Sequence, residues 1–310
     1  MSMAKTIEKL KIADTVIEMR SEFPVEKLTE AEKEQQAAER FNNFFYAGSA
    51  QADIVIDVRL VKSLPEFQNT KPVFITYHFQ SGDENWRLRR TPSRYVYSCP
   101  LEDKKQVMVV NKGFNRVTAY LLPKKNKGVV WAPTDLIYDF IQVLLINYFA
   151  SRGEGIFTHA VGVKDTDGSG LIFAGKSGAG KSTTARLWHK HSKARVLNDD
   201  RIIVRKQKGN FYMHGSPWHG EFSDYLTSRI ESAPLKKLFF IHHAKKNTAR
   251  RIFEKDAFQL LYPALFPAFW DKACLENIIS FCQELIKVVP CYSLGFVNDK
   301  KVIGFVRNIK

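Results

Sequence analysis

Acidic residues are in short supply in this chain: 32 Asp and Glu stand against 47 Lys and Arg, a formal net charge of +15 over 310 residues. That imbalance favours acidic partners, such as an acidic protein or peptide, nucleic acid, or an anionic membrane surface. No RNA-binding signature accompanies it, so nucleic acid is the minor alternative. Cysteine is scarce as well. The residues at 99, 274, 282 and 291 form no Cys-x-x-Cys pair, which removes the usual zinc spacing and leaves a disulfide framework unsupported. Cys274 and Cys282 are spaced to share one face of a helix as buried thiols. No apolar run approaches the roughly 18 residues of a membrane span. Met1-Ser2-Met3-Ala4-Lys5 lacks the apolar core of a secretory signal. The expectation is a cytoplasmic chain with no membrane span. Repeats and low-complexity tracts are absent too, and 45% hydrophobic with 25% charged residues is an ordinary globular composition.

Against that background one stretch stands out. Residues 175–182 read G-K-S-G-A-G-K-S, matching G-x-x-x-x-G-K-[ST], the phosphate-binding P-loop. The apolar run Leu171-Ile172-Phe173-Ala174 precedes it and Thr183-Thr184-Ala185-Arg186-Leu187-Trp188 follows. Strand, glycine turn and helix are the context the motif requires. Glycines at 175, 178 and 180 let the backbone turn tightly and approach a ligand. The helix that follows adds unpaired N–H groups and the positive end of its dipole. Gly175, Ser177, Gly178, Ala179, Gly180, Lys181, Ser182 and Thr183 form the expected nucleotide-binding set. Lys181 is expected to reach the β- and γ-phosphates and Ser182 to place its hydroxyl on Mg²⁺. The bland alternative is a glycine-rich connection with no ligand.

Magnesium also calls for a carboxylate. Asp199 and Asp200 close the short apolar segment Ala194-Arg195-Val196-Leu197-Asn198. A strand after the P-loop helix is expected to run parallel to the P-loop strand, with its carboxyl end facing the phosphates. One carboxylate can then hold Mg²⁺ while the other accepts a proton from an attacking hydroxyl. Repulsion between the two is expected to raise one pKa. The competing reading is a solvated Asp-Asp turn. His159 falls in the preceding strand-like segment, and Asp167-Gly168 marks a hairpin turn between that segment and the P-loop strand. Taken alone, such a histidine is more often structural.

Together His159, the loop at 175–182 and Asp199-Asp200-Arg201 resemble the bacterial HPr kinase/phosphorylase family and its wider fold group, which includes the phosphoenolpyruvate carboxykinases. The match covers residues 150–215. Beyond it, Gly-Ser-Pro-Trp-His-Gly-Glu at 215–221, His-His-Ala-Lys at 242–245 and Pro-Cys-Tyr at 290–292 are similar to segments of less-studied HPr-kinase-like proteins. The resemblance implies that Asp200 is the general base or acid, that His159 supports it, and that Asp199 is a magnesium-side carboxylate. It also implies an α/β P-loop kinase domain of the HPr kinase/PEP carboxykinase type with a mixed sheet. The kinases it resembles are hexamers, so a homo-oligomer is an expectation with no contact residues attached to it. The chain lacks both the segment with which that family docks HPr and the additional metal-binding Lys and His of the carboxykinases.

The expected function is magnesium-dependent transfer of the γ-phosphoryl group of ATP to a hydroxyl, on a protein or peptide serine or on a small molecule. Glu221 is a further metal-ligand candidate, or else a helix-starting carboxylate. Arg251 is a candidate for the transferring phosphate, or else one of a solvated Arg pair. The alternatives are a nucleotide-binding regulatory module without transfer and, less favoured, carboxykinase-type chemistry on a keto acid.

Two domains are expected: 1–130, a smaller α+β domain, and 131–310, the P-loop domain. In the first, strands are expected at 12–20, 54–61, 73–79, 94–98, 107–110 and 117–122, with a helix over 24–45. Arg87, Arg89 and Arg90 beside Trp86 read as a basic surface cluster, as does Lys124-Lys125. In the second, helices are expected at 133–150, 256–261 and 271–288, a strand at 238–241, and a closing pair of strands at 289–296 and 302–305.

Overall fold

A computed structural model describes residues 6–23, 43–67, 70–77, 82, 84–100, 105–123, 131–136, 140–220 and 230–309. The protein is mixed α/β, with two large mixed sheets and few helices. The described residues fall into two compact units, one within Met1–Ala38 and Phe45–Tyr148, the other within Glu39–Phe44 and Phe149–Lys310. The expected helix over 24–45 falls largely outside the described residues, as do Lys124, Lys125 and Glu221. Among the described residues, no helix is long and apolar enough to cross a membrane.

The first unit is one eight-stranded sheet. Its strands are β1 (Thr6–Ile12), β2 (Thr15–Ser21), β3 (Ile54–Leu60), β4 (Pro72–Tyr77), β5 (Glu84–Arg90), β6 (Arg94–Cys99), β7 (Gln106–Asn111) and β8 (Arg116–Leu121). They lie in the order β1-β2-β3-β8-β7-β6-β5-β4. β3 is parallel to both β2 and β8, and the remaining ladders are antiparallel. Two expectations are corrected here. The single strand expected at 12–20 is the second arm of a hairpin, whose turn holds Ala13 and Asp14 at φ 48° and 60°. Positive φ at both central residues is the hairpin geometry that matches strand twist, but Ala-Asp carries no glycine or asparagine to announce it. The Arg87–Arg90 cluster is not simply a solvated surface: it is β5, and Arg89 is buried, donating to the Thr70 carbonyl and the Ser98 hydroxyl at 3.0 Å each. Burial lowers the pKa of this guanidinium, and the nearby charge of Arg87 lowers it further.

The second unit begins within α1 (Gln142–Arg152) and continues with β9 (Gly155–Lys164), β10 (Gly170–Ala174), α2 (Lys181–His191), β11 (Arg195–Asn198), β12 (Arg201–Gln207) and β13 (Asn210–His214). Then come β14 (Ser232–His243), β15 (Thr248–Ile252), α3 (Glu254–Leu261), α4 (Lys272–Val288), β16 (Cys291–Phe296) and α5 (Lys301–Arg307). The sheet order is β10-β9-β12-β13-β14-β16-β15, with β11 paired to β9 and β10 also paired to β14. At 10 and 12 residues, β9 and β14 exceed the typical five or six and each serves more than one ladder. β10, β14 and β16 run parallel, while β9 and β15 run against them. β11 is antiparallel to β9 and so shares the direction of β10, with β9 between the two.

One face of this sheet carries the core under α2. Phe173, Phe239 and Tyr292, from three adjacent strands, stack with centroids 5.1 and 5.5 Å apart, and Trp188 of α2 lies 5.9 Å from Phe173. The expected strand at 302–305 is corrected to a helix, α5. Val302, Ile303 and Val306 are its buried residues, a helical rather than alternating spacing. Arg307 at its end forms a two-pronged bond to Asp165 in the β9–β10 turn, at 3.0 and 2.7 Å. Cys274 and Cys282 are both buried on α4, whose N-cap Asp271 accepts from the Cys274 amide at 3.1 Å.

Candidate functional site

The parallel ladders set β10, β14 and β16 ending at one edge of the sheet, with Ala174 opposite Phe240 and Phe240 opposite Ser293. Ligands of open α/β sheets bind outside such carboxyl ends. Residues 175–180 leave β10 at this edge and α2 begins at Lys181. A Cβ on Gly175 would lie 2.9 Å from the Ala179 Cβ and 3.0 Å from Ile241, so the close approach of loop to sheet requires glycine there. Gly180 caps α2 in a left-handed conformation, φ 98°, and a Cβ on it would meet the Phe296 ring at 2.5 Å.

The loop is braced from within. Lys181 Nζ donates to the carbonyls of Gly175 (2.9 Å) and Lys176 (3.3 Å), and the Ala179 amide donates to the Lys176 carbonyl (3.1 Å). His243, from the end of β14, places Nε2 3.0 Å from the Gly178 carbonyl. The first helical bond of α2 runs from the Thr184 amide to the Gly180 carbonyl, 2.8 Å. The amides of Lys181, Ser182 and Thr183 therefore precede the helix's own ladder, as donors available to an anion. Ser182 is exposed on this first turn.

β9 and β12 bring up the acidic side. Ala160 pairs with Ala174, so the next residue of β9 toward the edge, His159, stands level with Gly175. Arg201 opens β12 directly opposite His159. Asp200 is thereby fixed between them. Its Oδ1 lies 2.7 Å from His159 Nε2, and its Oδ2 accepts from Arg201 Nη1. Phe266 backs this group, with the Arg201 guanidinium 4.1 Å from its ring centre and the His159 ring at 6.2 Å. Burial is the largest single influence on Asp200 and pushes its carboxyl upward, but the His159 hydrogen bond and the Arg201 charge together outweigh it and hold the pKa below the ordinary value. The expectation that repulsion within the Asp pair raises a pKa is thus corrected for Asp200. Burial lowers the pKa of Lys181, and the negative charge of Asp200 opposes that shift. The carboxylate and the loop lysine are therefore within electrostatic reach of one another.

Asp199 points to a different partner. It is buried, and its Oδ1 accepts from the Gly220 amide at 2.9 Å. A Cβ at Gly220 would stand 2.9 Å from its other oxygen, so glycine is needed there. Arg251 is not gathered into the site. It lies on edge strand β15 over Tyr292 and Phe253, at 5.6 and 5.7 Å. Three strand spacings, roughly 14 Å, separate β15 from β10. Glu221 lies outside the described residues.

Residues that the sequence reading passed over hold the site's shape. Asn198 Oδ1 accepts from the amides of Asp200 and Arg201, both at 2.8 Å, while its Nδ2 donates to the carbonyls of Ser216 and Trp218, both at 2.9 Å. One side chain thus fixes the Asp200 turn and ties segment 216–218 to it. An asparagine two residues before a turn is a local signal for such a role. His243 lies in the 242–245 stretch that the resemblance marks, but neither it nor Phe266 carries a local signal for this contact, because only the sheet register brings them to this edge.

In donor types the edge suits a magnesium-bound polyphosphate: backbone amides, an ammonium, an exposed hydroxyl and the Asp200 carboxylate, with Asp199 next to it in sequence but engaged by Gly220. No group of three or more His, Cys, Asp or Glu is placed to hold a metal among the described residues. Magnesium held largely by phosphates and waters needs no such group. No family model and no curated protein matches this chain.

Proposed function

We propose that the second unit is a P-loop kinase domain of the HPr kinase/PEP carboxykinase type, which transfers the γ-phosphoryl group of ATP to a hydroxyl. The observation that carries this reading is the placement of Asp200: bonded to His159 at the edge where the glycine loop leaves β10, and acting electrostatically on Lys181. In this reading Lys181 exchanges its two loop carbonyls for phosphate oxygens, and the amides that open α2 receive the remaining phosphate charge. Magnesium, held by Ser182 and the Asp199 side together with the phosphates, would supply further charge neutralisation. Asp200 orients the acceptor hydroxyl and takes its proton. A depressed pKa is compatible with that task, because phosphoryl transfer depends mainly on positioning and electrostatics. His159 and Arg201 hold the carboxylate in place for it.

The second reading, a nucleotide-binding regulatory module without transfer, is favoured by one observation: both oxygens of Asp200 already accept hydrogen bonds. Incubation with γ-labelled ATP and a host lysate separates the two. The kinase reading predicts a labelled acceptor that vanishes with Lys181→Ala and Asp200→Asn. Nucleotide binding with no labelled product would favour the module.

A further inference from the structure

Among the described residues β15 is the last strand of its sheet, paired to β16 on one side only, and its residues 248–251 are exposed. Such an edge is a template for an added strand, because its outward N–H and C=O groups have no ladder partner among the described residues. Its charge is of one sign: residues 242–253 contain no Asp or Glu but include Lys245, Lys246, Arg250 and Arg251. Side chains alternate along a strand, so Arg250 and Arg251 present one cation to each face.

The turn leading into β15 extends this charge toward the glycine loop. Residues 244–247 cross the end of β16, held by the Ala244 amide on the Phe296 carbonyl (3.1 Å) and the Val297 amide on Asn247 Oδ1 (2.9 Å). That crossing sets exposed Lys245 and Lys246 at the sheet edge, between β15 and His243, which touches the Gly178 carbonyl. Exposed Lys176 continues the strip into the loop itself.

We propose that β15 and this turn are a docking track for an acidic peptide, which adds to the sheet as a further strand and delivers its hydroxyl-bearing residue to the glycine loop. The proposal rests on the phosphotransfer reading and names its acceptor class. Backbone pairing suits a peptide, and the arginine pair calls for two adjacent acidic residues opposite it. A second copy of this chain would bring like charges face to face. Phe253, 70% exposed at the end of β15, offers the peptide an apolar contact. An added strand would lie four spacings from β10, roughly 19 Å, so the acceptor residue should stand about six extended residues from the acidic pair.

The test is fluorescence anisotropy with a labelled Val/Gln-rich peptide that carries Glu-Glu and, about six residues away, a single serine as its one hydroxyl. Its twin carries Lys-Lys in place of Glu-Glu. The Glu-Glu peptide should bind the full chain and protect the β15 amides from hydrogen exchange. Arg250→Glu with Arg251→Glu should weaken it about tenfold or more, and Lys181→Ala should leave its binding unchanged. No binding, equal binding of the Lys-Lys twin, an unaffected double variant, tighter binding of single-stranded RNA at the same residues, or no protection at β15 would each overturn the proposal. Peptide binding as described without phosphate transfer to the serine would leave the docking track standing and count against the phosphotransfer reading alone.

Discussion

His159 Nε2 and Asp200 Oδ1 meet at 2.7 Å across the β9–β12 ladder, one residue beyond the pair that fixes β9 to the strand feeding the glycine loop. The sheet register sets an oriented carboxylate at the edge where the glycine loop leaves β10. The two variants of this pair should therefore differ in effect. Asp200→Asn removes the proposed proton acceptor and should lower transfer about 10²–10⁴-fold, with Mg·ATP affinity nearly unchanged. His159→Ala removes a charge-assisted bond worth about 1.5–3 kcal/mol when shielded from water. Its side chain is 44% exposed, which places the loss toward the low end, about tenfold. Initial-rate kinetics with both variants checks the order. A larger loss with His159→Ala than with Asp200→Asn would reverse the assigned roles.

Gly180 has the least room for change. A side chain at φ 98° costs about 1–2 kcal/mol in backbone strain, and its Cβ would stand 2.5 Å from the Phe296 ring. Gly180→Ala should weaken nucleotide binding about tenfold or more while α2 still forms. Calorimetry and far-UV circular dichroism read the two effects separately. Unchanged affinity would show that the loop binds nothing in this conformation.

Phe239 is fully buried between Phe173 and Tyr292 beneath α2. Phe239→Ala should cost about 3–5 kcal/mol in a core that cannot fully collapse, measured by urea denaturation. A cost below about 1 kcal/mol would mean that this aromatic row does not carry the sheet's core.

The depressed pKa of Asp200 has a stability consequence of defined sign. A carboxylate held below its unfolded value stabilises the fold above about pH 4, the unfolded value. That contribution is lost as pH falls through the lower folded-state value. Asp200→Asn should flatten the acid limb of a stability-versus-pH curve and leave its shape near neutrality alone. An acid limb that is the same in both proteins would place the destabilising protonation elsewhere.

Burial pushes the thiols of Cys282 and Cys291 up to about 12. Both should resist a maleimide at pH 8 in the folded protein and react after denaturation, because the thiolate is the nucleophile. Mass spectrometry counts the labels. Rapid native labelling of either cysteine would mean that the core around α4 or β16 opens readily.

Local chemistry made much of this legible. Strand, glycine turn and helix around 171–191 were readable because apolar run, glycines and helix formers follow one another without ambiguity. Asp167-Gly168 gave the β9–β10 hairpin, and the periodicity of 272–288 gave α4. What escaped had no local mark. The Ala13-Asp14 turn lacks the usual glycine, β5 hides a buried arginine in a basic run, and the run at 302–305 is too short to separate helix from strand. The site divided the same way. The glycine loop is legible from its own residues and the Asp199-Asp200 pair from its spacing to that loop, while the base role of Asp200 and the stretch that holds His243 rest on the resemblance alone. The place of Arg251 on the end strand and of Phe266 beside Arg201 has no local mark, because strand order decides which residues share an edge.

The most direct test of the account is isothermal titration calorimetry of Mg·ATP into the wild type, Asp200→Asn and Lys181→Ala. Binding to the first two with similar affinity, and a loss of about tenfold or more for Lys181→Ala, is the predicted result. No heat of binding to the wild type, or equal binding by all three, would contradict a phosphate site at the glycine loop.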